Sequence, residues 1–266
     1  MKNPIYLYII LVTCVLSDSY PKKRLYERES NPLEVMGRED RKYGDHSGNR
    51  VLCRIYNHGS IGDQSSSFSG VYPIGSGHSY IWEFSPVIAA SVVDINGNRK
   101  HIVSDGISGL VDDSPEGTPW SFEPLTGYAN PNQENLAMSD NESSWPSSWP
   151  NRPDDWNGEW NGQYGKYVRA DQESYFVVDD YYNSEFEFWP DTSDMPSSPT
   201  DDPDNHRRGL GIKMEARGYQ WNHPAAEDII IVTYWITNVG SNVLDSVVFG
   251  MYGDADVGGS SSFADD

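Results

Sequence analysis

Four tryptophans and several carboxylates lie close together between residues 143 and 180, in sequence rich in Pro, Gly and Asn. Flat aromatic rings beside amide and carboxylate groups are the side chains that bind sugars. The candidate ligand-binding residues for a carbohydrate are therefore Trp145, Trp149, Trp156, Glu159 and Trp160. In the alternative interpretation, the indoles form a small core inside a long loop, with each N–H bonded to backbone. The long Pro-rich loops around them favour this second interpretation.

Glycoside hydrolysis would need two opposed carboxylates roughly 5–10 Å apart near such rings. Glu159, in Trp156-Asn-Gly-Glu-Trp160, is the candidate acid. Its possible partners are Asp154, Asp155, Asp171 and Glu173. A chain this acidic supplies such pairs by chance, and the six His residues show no H-E-x-x-H spacing. There is also no G-x-S-x-G motif or P-loop, so we assign no catalytic residue beyond the candidate Glu159.

A calcium site is the third chemistry that the sequence offers. Asp254 and Asp256 lie in a Gly-rich segment, with Asp265 and Asp266 nearby. Calcium needs several oxygen ligands from a tight loop, but Gly258 stands where a third acidic ligand would be expected. Solvated acids of a surface turn are the favoured explanation of these residues. We therefore assign no cofactor and keep calcium as the one candidate.

The charge is distributed unevenly along the chain. The net charge is −21, made up of +3 over residues 1–60 and −24 over the remainder. An acidic domain repels phosphate backbones, which argues against nucleic-acid binding. The composition suits solubility outside the cell.

The N-terminus has the pattern of a secretory signal. A charged start precedes the apolar run Ile5–Leu16, which is too short to span a bilayer, and we place cleavage after Ser17. Lipidation at Cys14 is the alternative. Residues 18–49 read as a flexible leader. No later segment is apolar enough to cross a membrane, so we expect a secreted or outer cell-surface protein.

The rest of the chain has strand periodicity and almost none of helical type. Asn96-Gly97 predicts a hairpin between 87–95 and 100–104, central in its sheet because the first strand is nearly continuous in apolar residues. Strands are also predicted at 50–57, 173–178, 210–221, 228–237 and 244–252, the last two as partners. Cys53, alternating with Val51 and Ile55, is expected to be a small buried hydrophobe. We predict an all-β fold, an antiparallel β-sandwich with long irregular Trp/Pro/Asp-rich loops.

We assign residues 50–266 to one β-sandwich domain, with two sub-domains divided near residues 110–140 as the alternative. The sequence ends in an acidic loop directly after a strong strand. We therefore expect a truncated chain whose last strand lies at a sheet edge.

Short motifs are spread over most of residues 50–266. They are Arg54-Ile-Tyr-Asn-His-Gly-Ser-Ile-Gly62, Tyr72-Pro-Ile-Gly-Ser-Gly-His-Ser-Tyr-Ile81, Pro131-Asn-Gln, Ala137-Met-Ser-Asp140, Trp145-Pro-Ser-Ser-Trp-Pro150, Asp155-Trp-Asn-Gly-Glu-Trp-Asn-Gly162, Ala170-Asp-Gln-Glu-Ser-Tyr175, Arg208-Gly-Leu-Gly211, Thr237-Asn-Val-Gly240 and Val248-Phe-Gly-Met251. Together they resemble the N-terminal region of long secreted surface proteins of Bacteroidota-like bacteria. The resemblance implies continuation into fibronectin-type modules and a C-terminal sorting domain. That group is functionally uncharacterised, so no catalytic residue is carried over.

The sequence therefore predicts a secreted or cell-surface bacterial β-sandwich module without catalytic activity, which binds glycan or calcium. Its partners would be extracellular glycans or cell-surface components. The alternatives are a polysaccharide-active hydrolase that uses Glu159 and a nearby carboxylate, and a structural spacer of a surface adhesin.

Overall fold

The computed structural model describes residues 40–62, 68–94, 96–107, 120–181, 183, 185–186, 209–240 and 243–257. In this part the regular structure consists of ten strands and two 3-10 turns, Glu142–Ser144 and Asp154–Trp156. All strand pairs in the three sheets are antiparallel. The prediction of an all-β antiparallel fold is thus confirmed. No helix within these ranges is long and apolar enough to cross a membrane.

The strands are short at the start of the described chain and long at its end. They are β1 (Tyr43–His46), β2 (Cys53–Tyr56), β3 (Glu83–Val93), β4 (Arg99–Asp105), β5 (Glu123–Pro124), β6 (Ala137–Met138), β7 (Gln172–Asp179), β8 (Ile212–Gln220), β9 (Ile231–Asn238) and β10 (Asp245–Asp254).

The strands form three sheets. β1 pairs with β2, and a three-stranded sheet has the order β10-β3-β4. The third sheet has the order β5-β7-β8-β9, and β6 also pairs with β7. β5 pairs with the end of β7 at Val178 and Asp179. β6 pairs with β7 nearer its start, at Ser174 and Tyr175. Two short strands therefore share the edge of β7 that β8 leaves open.

The β3–β4 hairpin forms where Asn96-Gly97 predicted it. Gly97 has a φ of 81°, which favours glycine, and Oδ1 of Asp94 accepts the backbone N–H groups of Asn96 and Asn98 at 2.9 and 2.8 Å. β3 lies in the middle of its sheet, while β4 lies beside it as the outer strand. Of the two hairpin strands, β3 is thus the central one in its sheet.

β10 does not pair with β9, so the hairpin predicted between 228–237 and 244–252 is wrong. β10 pairs with β3 from Asp245 to Asp254, whereas β9 pairs with β8. β9 and β10 are consecutive along the chain but lie in different sheets. Two strands of this kind can bury the same inward apolar residues in either arrangement, so their pattern alone does not select the partner.

One hydrophobic core cluster takes side chains from both large sheets. β3 contributes Ile88, Ala90 and Val92, and β8 contributes Ile212, Met214 and Ala216. Tyr234 of β9 and Phe249 of β10 bring the two sheets into ring contact, with centroids 5.6 Å apart. This cluster holds β7 and β8 in place. The aromatic residues between 125 and 160, described below, pack on the other face of β7.

β1 lies within the residues that the sequence assigned to a flexible leader. It forms because Tyr43–His46 pairs in register with β2 and because His46 is fully buried. Residues 1–39, which hold the predicted signal peptide, lie outside the described residues. Cys53 is fully buried beside Val51 and Ile81, which confirms its role as a small hydrophobe.

Candidate functional site

β7 is buried on both faces, and this determines how the Trp-rich segment folds. All eight of its residues are buried. Phe176 and Val178 point into the main core cluster, whereas Tyr175 and Val177 belong to a second cluster. A strand covered on one side by the other sheet needs a separate cover for its opposite face, because its apolar side chains alternate between the faces.

The cover is an aromatic cluster built mainly from residues 125–160. Its buried members are Tyr128, Ala137, Trp149, Trp160, Tyr175 and Val177, with Leu125, Trp145 and Trp156 packed against them. The ring of Trp160 lies 5.5 Å from that of Trp145 and 6.0 Å from that of Trp149. Trp149 and Trp160 expose only 1% and 2% of their surface. Two of the four candidate tryptophans therefore have no face open to a sugar.

Three indole N–H groups of this cluster are bonded within the protein. Trp145 donates to the carbonyl of Met138 at 2.7 Å, and Trp149 donates to the carbonyl of Glu159 at 2.9 Å. Trp160 donates to Oε2 of Glu173 at 2.7 Å. These bonds have the form expected of a loop core, with one carboxylate acceptor in place of a backbone carbonyl.

Trp156 is the half-buried member of the cluster. The guanidinium of Arg152 lies 4.5 Å from its ring centroid, and Nζ of Lys166 lies 5.7 Å from it. Lys166 is also bonded to Oδ2 of Asp155 at 2.7 Å. Trp156 thus packs against two cations of the protein.

Two of the candidate acids, Glu159 and Glu173, have different environments. The side chain of Glu159 is exposed, and within the described chain its carboxylate forms no hydrogen bond or ion pair. Glu173 is buried and accepts three N–H groups, from Trp160, Arg169 and Ala170. A carboxylate saturated in this way is a structural acceptor.

Asn161 joins the loop to β8 through two guanidinium groups. Arg152 donates through Nε to Oδ1 of Asn161 at 2.7 Å, and buried Arg217 of β8 donates through Nη1 to its carbonyl at 2.5 Å. The Arg217 guanidinium also lies 3.8 Å over the ring of Tyr175. Burial lowers the pKa of Arg152, and the nearby charge of Arg217 contributes to this. Burial, together with the charge of Glu215, raises the pKa of Tyr175 well above its ordinary value.

A different set of aromatic residues faces solvent at the outer side of this loop. Tyr164 and Tyr167 expose 72% and 49% of their surface. Trp221, just beyond β8, stacks on Tyr219 with an interplanar angle of 12° and keeps its outer face partly exposed. We call Tyr164, Tyr167 and Trp221 the aromatic surface.

Hydrogen bonds connect the members of the aromatic surface. Tyr167 donates its hydroxyl to the carbonyl of Tyr164 at 3.3 Å. Trp221 donates its indole N–H to the carbonyl of Arg169 at 3.2 Å, and Arg169 in turn donates to the Tyr167 hydroxyl at 2.7 Å. Tyr219 reaches Gln163, the neighbour of Tyr164, at 2.8 Å. Sequence reasoning missed this surface because the local sequence around a Tyr or Trp carries no signal of which ring faces out.

The predicted metal ligands lie at the end of β10. Asp254 is half-buried and Asp256 is 4% exposed. Within the described ranges, no three side chains of His, Cys, Asp or Glu meet in a way that could hold a metal ion. Asp265, Asp266 and Gly258 lie outside these ranges.

Comparisons with models of protein families, with curated proteins and with solved structures found no match to this chain.

Proposed function

We propose that the protein is a secreted or cell-surface bacterial β-sandwich module that binds an extracellular glycan and does not hydrolyse it. One observation carries the proposal. Tyr164 and Tyr167 are exposed on the loop 161–169, and partly exposed Trp221, just beyond β8, donates to the backbone of Arg169 in that loop. Glu173 joins the backbone of Arg169 to Trp160 of the buried aromatic cluster. A rigid scaffold below exposed rings loses little conformational entropy when a ligand binds.

The sandwich arrangement is supported by the shared core. Side chains from β3 and β10 on one sheet, and from β7, β8 and β9 on the other, belong to one cluster. Two antiparallel sheets that bury their inner faces against each other form a sandwich. The aromatic cluster then covers the outer face of the second sheet at β7.

The chemistry of the aromatic surface fits carbohydrate. The apolar faces of sugar rings pack on flat aromatic side chains, and their hydroxyls need hydrogen-bonding groups at the edge. Asn222 is exposed next to Trp221, and Gln163 is half-buried next to Tyr164. Of the site residues predicted from sequence, Trp160 is connected to this surface, because Glu173 accepts both its indole N–H and the backbone N–H of Arg169.

Two features of the sequence support the proposed extracellular location. The N-terminal apolar run has signal-peptide length, and the motifs along residues 50–266 resemble those of secreted bacterial surface proteins. A net charge of −21 suits an extracellular protein that does not bind nucleic acid.

The proposal is tested by measuring oligosaccharide binding, first on a glycan array and then by calorimetry. Wild type is compared with Tyr164→Ala, Trp221→Ala and the double variant. We expect the double variant to lose binding by at least roughly tenfold, since two rings are removed and stacking of even a nucleic-acid base on one aromatic ring contributes about 1–3 kcal/mol.

The matched control is Tyr252→Ala, since Tyr252 is an aromatic residue 40% exposed on β10, away from the loop. Binding should persist in this variant. If wild type binds no glycan on the array, or if the double variant binds as well as wild type, the proposal is wrong.

A further inference from the structure

The arginines of the described chain fall into two groups. Arg41, Arg50, Arg54 and Arg99 each form an ion pair with an Asp or Glu. Within the same residues, Arg152, Arg169 and Arg217 have no carboxylate within 4.0 Å. Arg152 and Arg217 bond to Asn161, in the loop 161–169, and Arg169 belongs to this loop and bonds to Tyr167. The loop carries Tyr164 and Tyr167 of the aromatic surface. Unpaired arginines are unexpected in a chain with 40 acidic residues.

Aromatic rings and neutral oxygens hold these guanidinium groups. Arg152, Arg169 and Arg217 lie 4.5, 4.4 and 3.8 Å from the ring centroids of Trp156, Tyr167 and Tyr175, respectively. Ring stacking orients a guanidinium without neutralising it. The charge therefore remains available for a ligand.

Arg169 is the member of the group that a ligand can reach. Its side chain is exposed, and only Nη2 has a partner in the described part of the chain, the hydroxyl of Tyr167. Its backbone is held on both sides, because its N–H donates to Glu173 and its carbonyl accepts the indole of Trp221. The guanidinium thus lies at the edge of the aromatic surface, and within the described residues Nε and Nη1 have no hydrogen-bond partner.

From this arrangement, and on the basis of the proposed function, we infer that the glycan is acidic and that Arg169 binds its oxyanion group. A planar guanidinium forms two parallel hydrogen bonds with a carboxylate or a sulfate, and such charged bonds are stronger than neutral ones. Half-buried Arg152 and buried Arg217 add positive potential beneath the loop. A uronic acid and a sulfated sugar share this chemistry.

The net charge of the chain does not oppose this contact at short range. Charges beyond about 8 Å are screened at physiological ionic strength, so the −21 of the whole chain acts mainly on the approach of the ligand. Asp155, an acid of the Trp-rich segment, is paired with Lys166 of the loop 161–169.

The experiment is calorimetric titration of the full chain with three probes of equal length. These are a uronic-acid tetrasaccharide, a sulfated galactan tetrasaccharide and a neutral galactan tetrasaccharide. Wild type should bind one of the two acidic probes at least roughly tenfold more tightly than the neutral one, and which one it is identifies the anion. Arg169→Gln should remove that preference, so that the variant binds the acidic and the neutral probes with equal affinity.

Arg99→Gln is the control, since Arg99 is an exposed arginine that is ion-paired with Asp245. It should keep the full preference. If Arg169→Gln keeps the preference as well, or if all three probes bind equally well, the inference is wrong while the proposed function stands. Failure of wild type to bind any of the three probes, together with an empty glycan array, would overturn both.

Discussion

The indole nitrogen of Trp160 lies 2.7 Å from Oε2 of Glu173, inside the protein. Both residues were candidates for chemistry at a ligand site. Their contact connects the Trp-rich loop to β7, and Glu173 extends it to residues 169 and 170 through two backbone N–H groups. The bond thus joins the buried aromatic cluster to the backbone below the aromatic surface.

Glu173→Gln should destabilise the protein by about 1–3 kcal/mol. The amide retains one acceptor oxygen and turns a donor toward buried N–H groups, which leaves at least one of them unsatisfied. The measurement is the free energy of unfolding in urea. Glu159→Gln is the matched control on the same loop, because its exposed carboxylate has no contact in the described chain. Its expected effect is within about 0.5 kcal/mol, and equal effects in the two variants would argue against a structural Glu173.

Trp149→Ala should cost about 3–5 kcal/mol, because it leaves a cavity in the aromatic cluster. Trp149 is 1% exposed and also loses its bond to the carbonyl of Glu159. Tyr164→Ala, at a side chain 72% exposed, should change stability by less than about 0.5 kcal/mol. Thermal and urea unfolding of the two variants measure the difference. A stable Trp149→Ala protein would show that the cluster is not a core.

Asp180→Ala should destabilise the protein by about 2–4 kcal/mol. Its fully buried carboxylate accepts Ser104 Oγ, the N–H of Leu210 and the N–H of Ile212 at 2.7 to 2.9 Å. Removing it leaves these donors buried without a partner. Exposed Asp154 is the control, and Asp154→Ala should be neutral in the same urea titration. A neutral Asp180→Ala would mean that other groups satisfy these donors.

His46 predicts a loss of stability in acid. Burial lowers the pKa of His46 in the folded protein to about 4, from an ordinary value of 6.5, although an interaction with the side chain of Gln220 raises it in part. Between pH 6.5 and pH 4 the unfolded chain therefore binds a proton that the folded chain does not. The stability contribution is complete above pH 6.5 and falls by about 3 kcal/mol as the pH decreases to 4.

The measurement is the urea unfolding free energy of wild type and His46→Asn at several pH values between 7.5 and 4. The variant should show a smaller slope over this window, whereas His101→Gln, at an exposed histidine of β4, should keep the wild-type slope. An unchanged slope in His46→Asn would contradict the role of His46. Its position explains the effect, because Nε2 lies 2.8 Å from Ser174 Oγ between β1 and β7.

Sequence reasoning located the β3–β4 hairpin and strands β7, β8 and β9 because their patterns are local. Asn96-Gly97 determines a turn, and the alternation of Leu210, Ile212, Met214 and Ala216 determines which residues face inward. The partner of β10 could not be found in this way. Its inward residues can pack against the same core from either sheet, and only the path of the chain decides.

For the candidate site, the sequence determined which residue types come together, and the tertiary structure decided which of them face solvent. The spacing of Trp145, Trp149, Trp156 and Trp160 already indicated an aromatic loop, with a loop core as the favoured interpretation. Whether those rings bind sugar or cover a strand depends on β7, whose outer face needs an apolar cover because its inner face is already used by the main core. Burial of Trp149 and Trp160 against Tyr175 and Val177 meets that need. Tyr164, Tyr167 and Trp221 then remain at the surface, a result that depends on contacts between distant parts of the chain and not on local pattern.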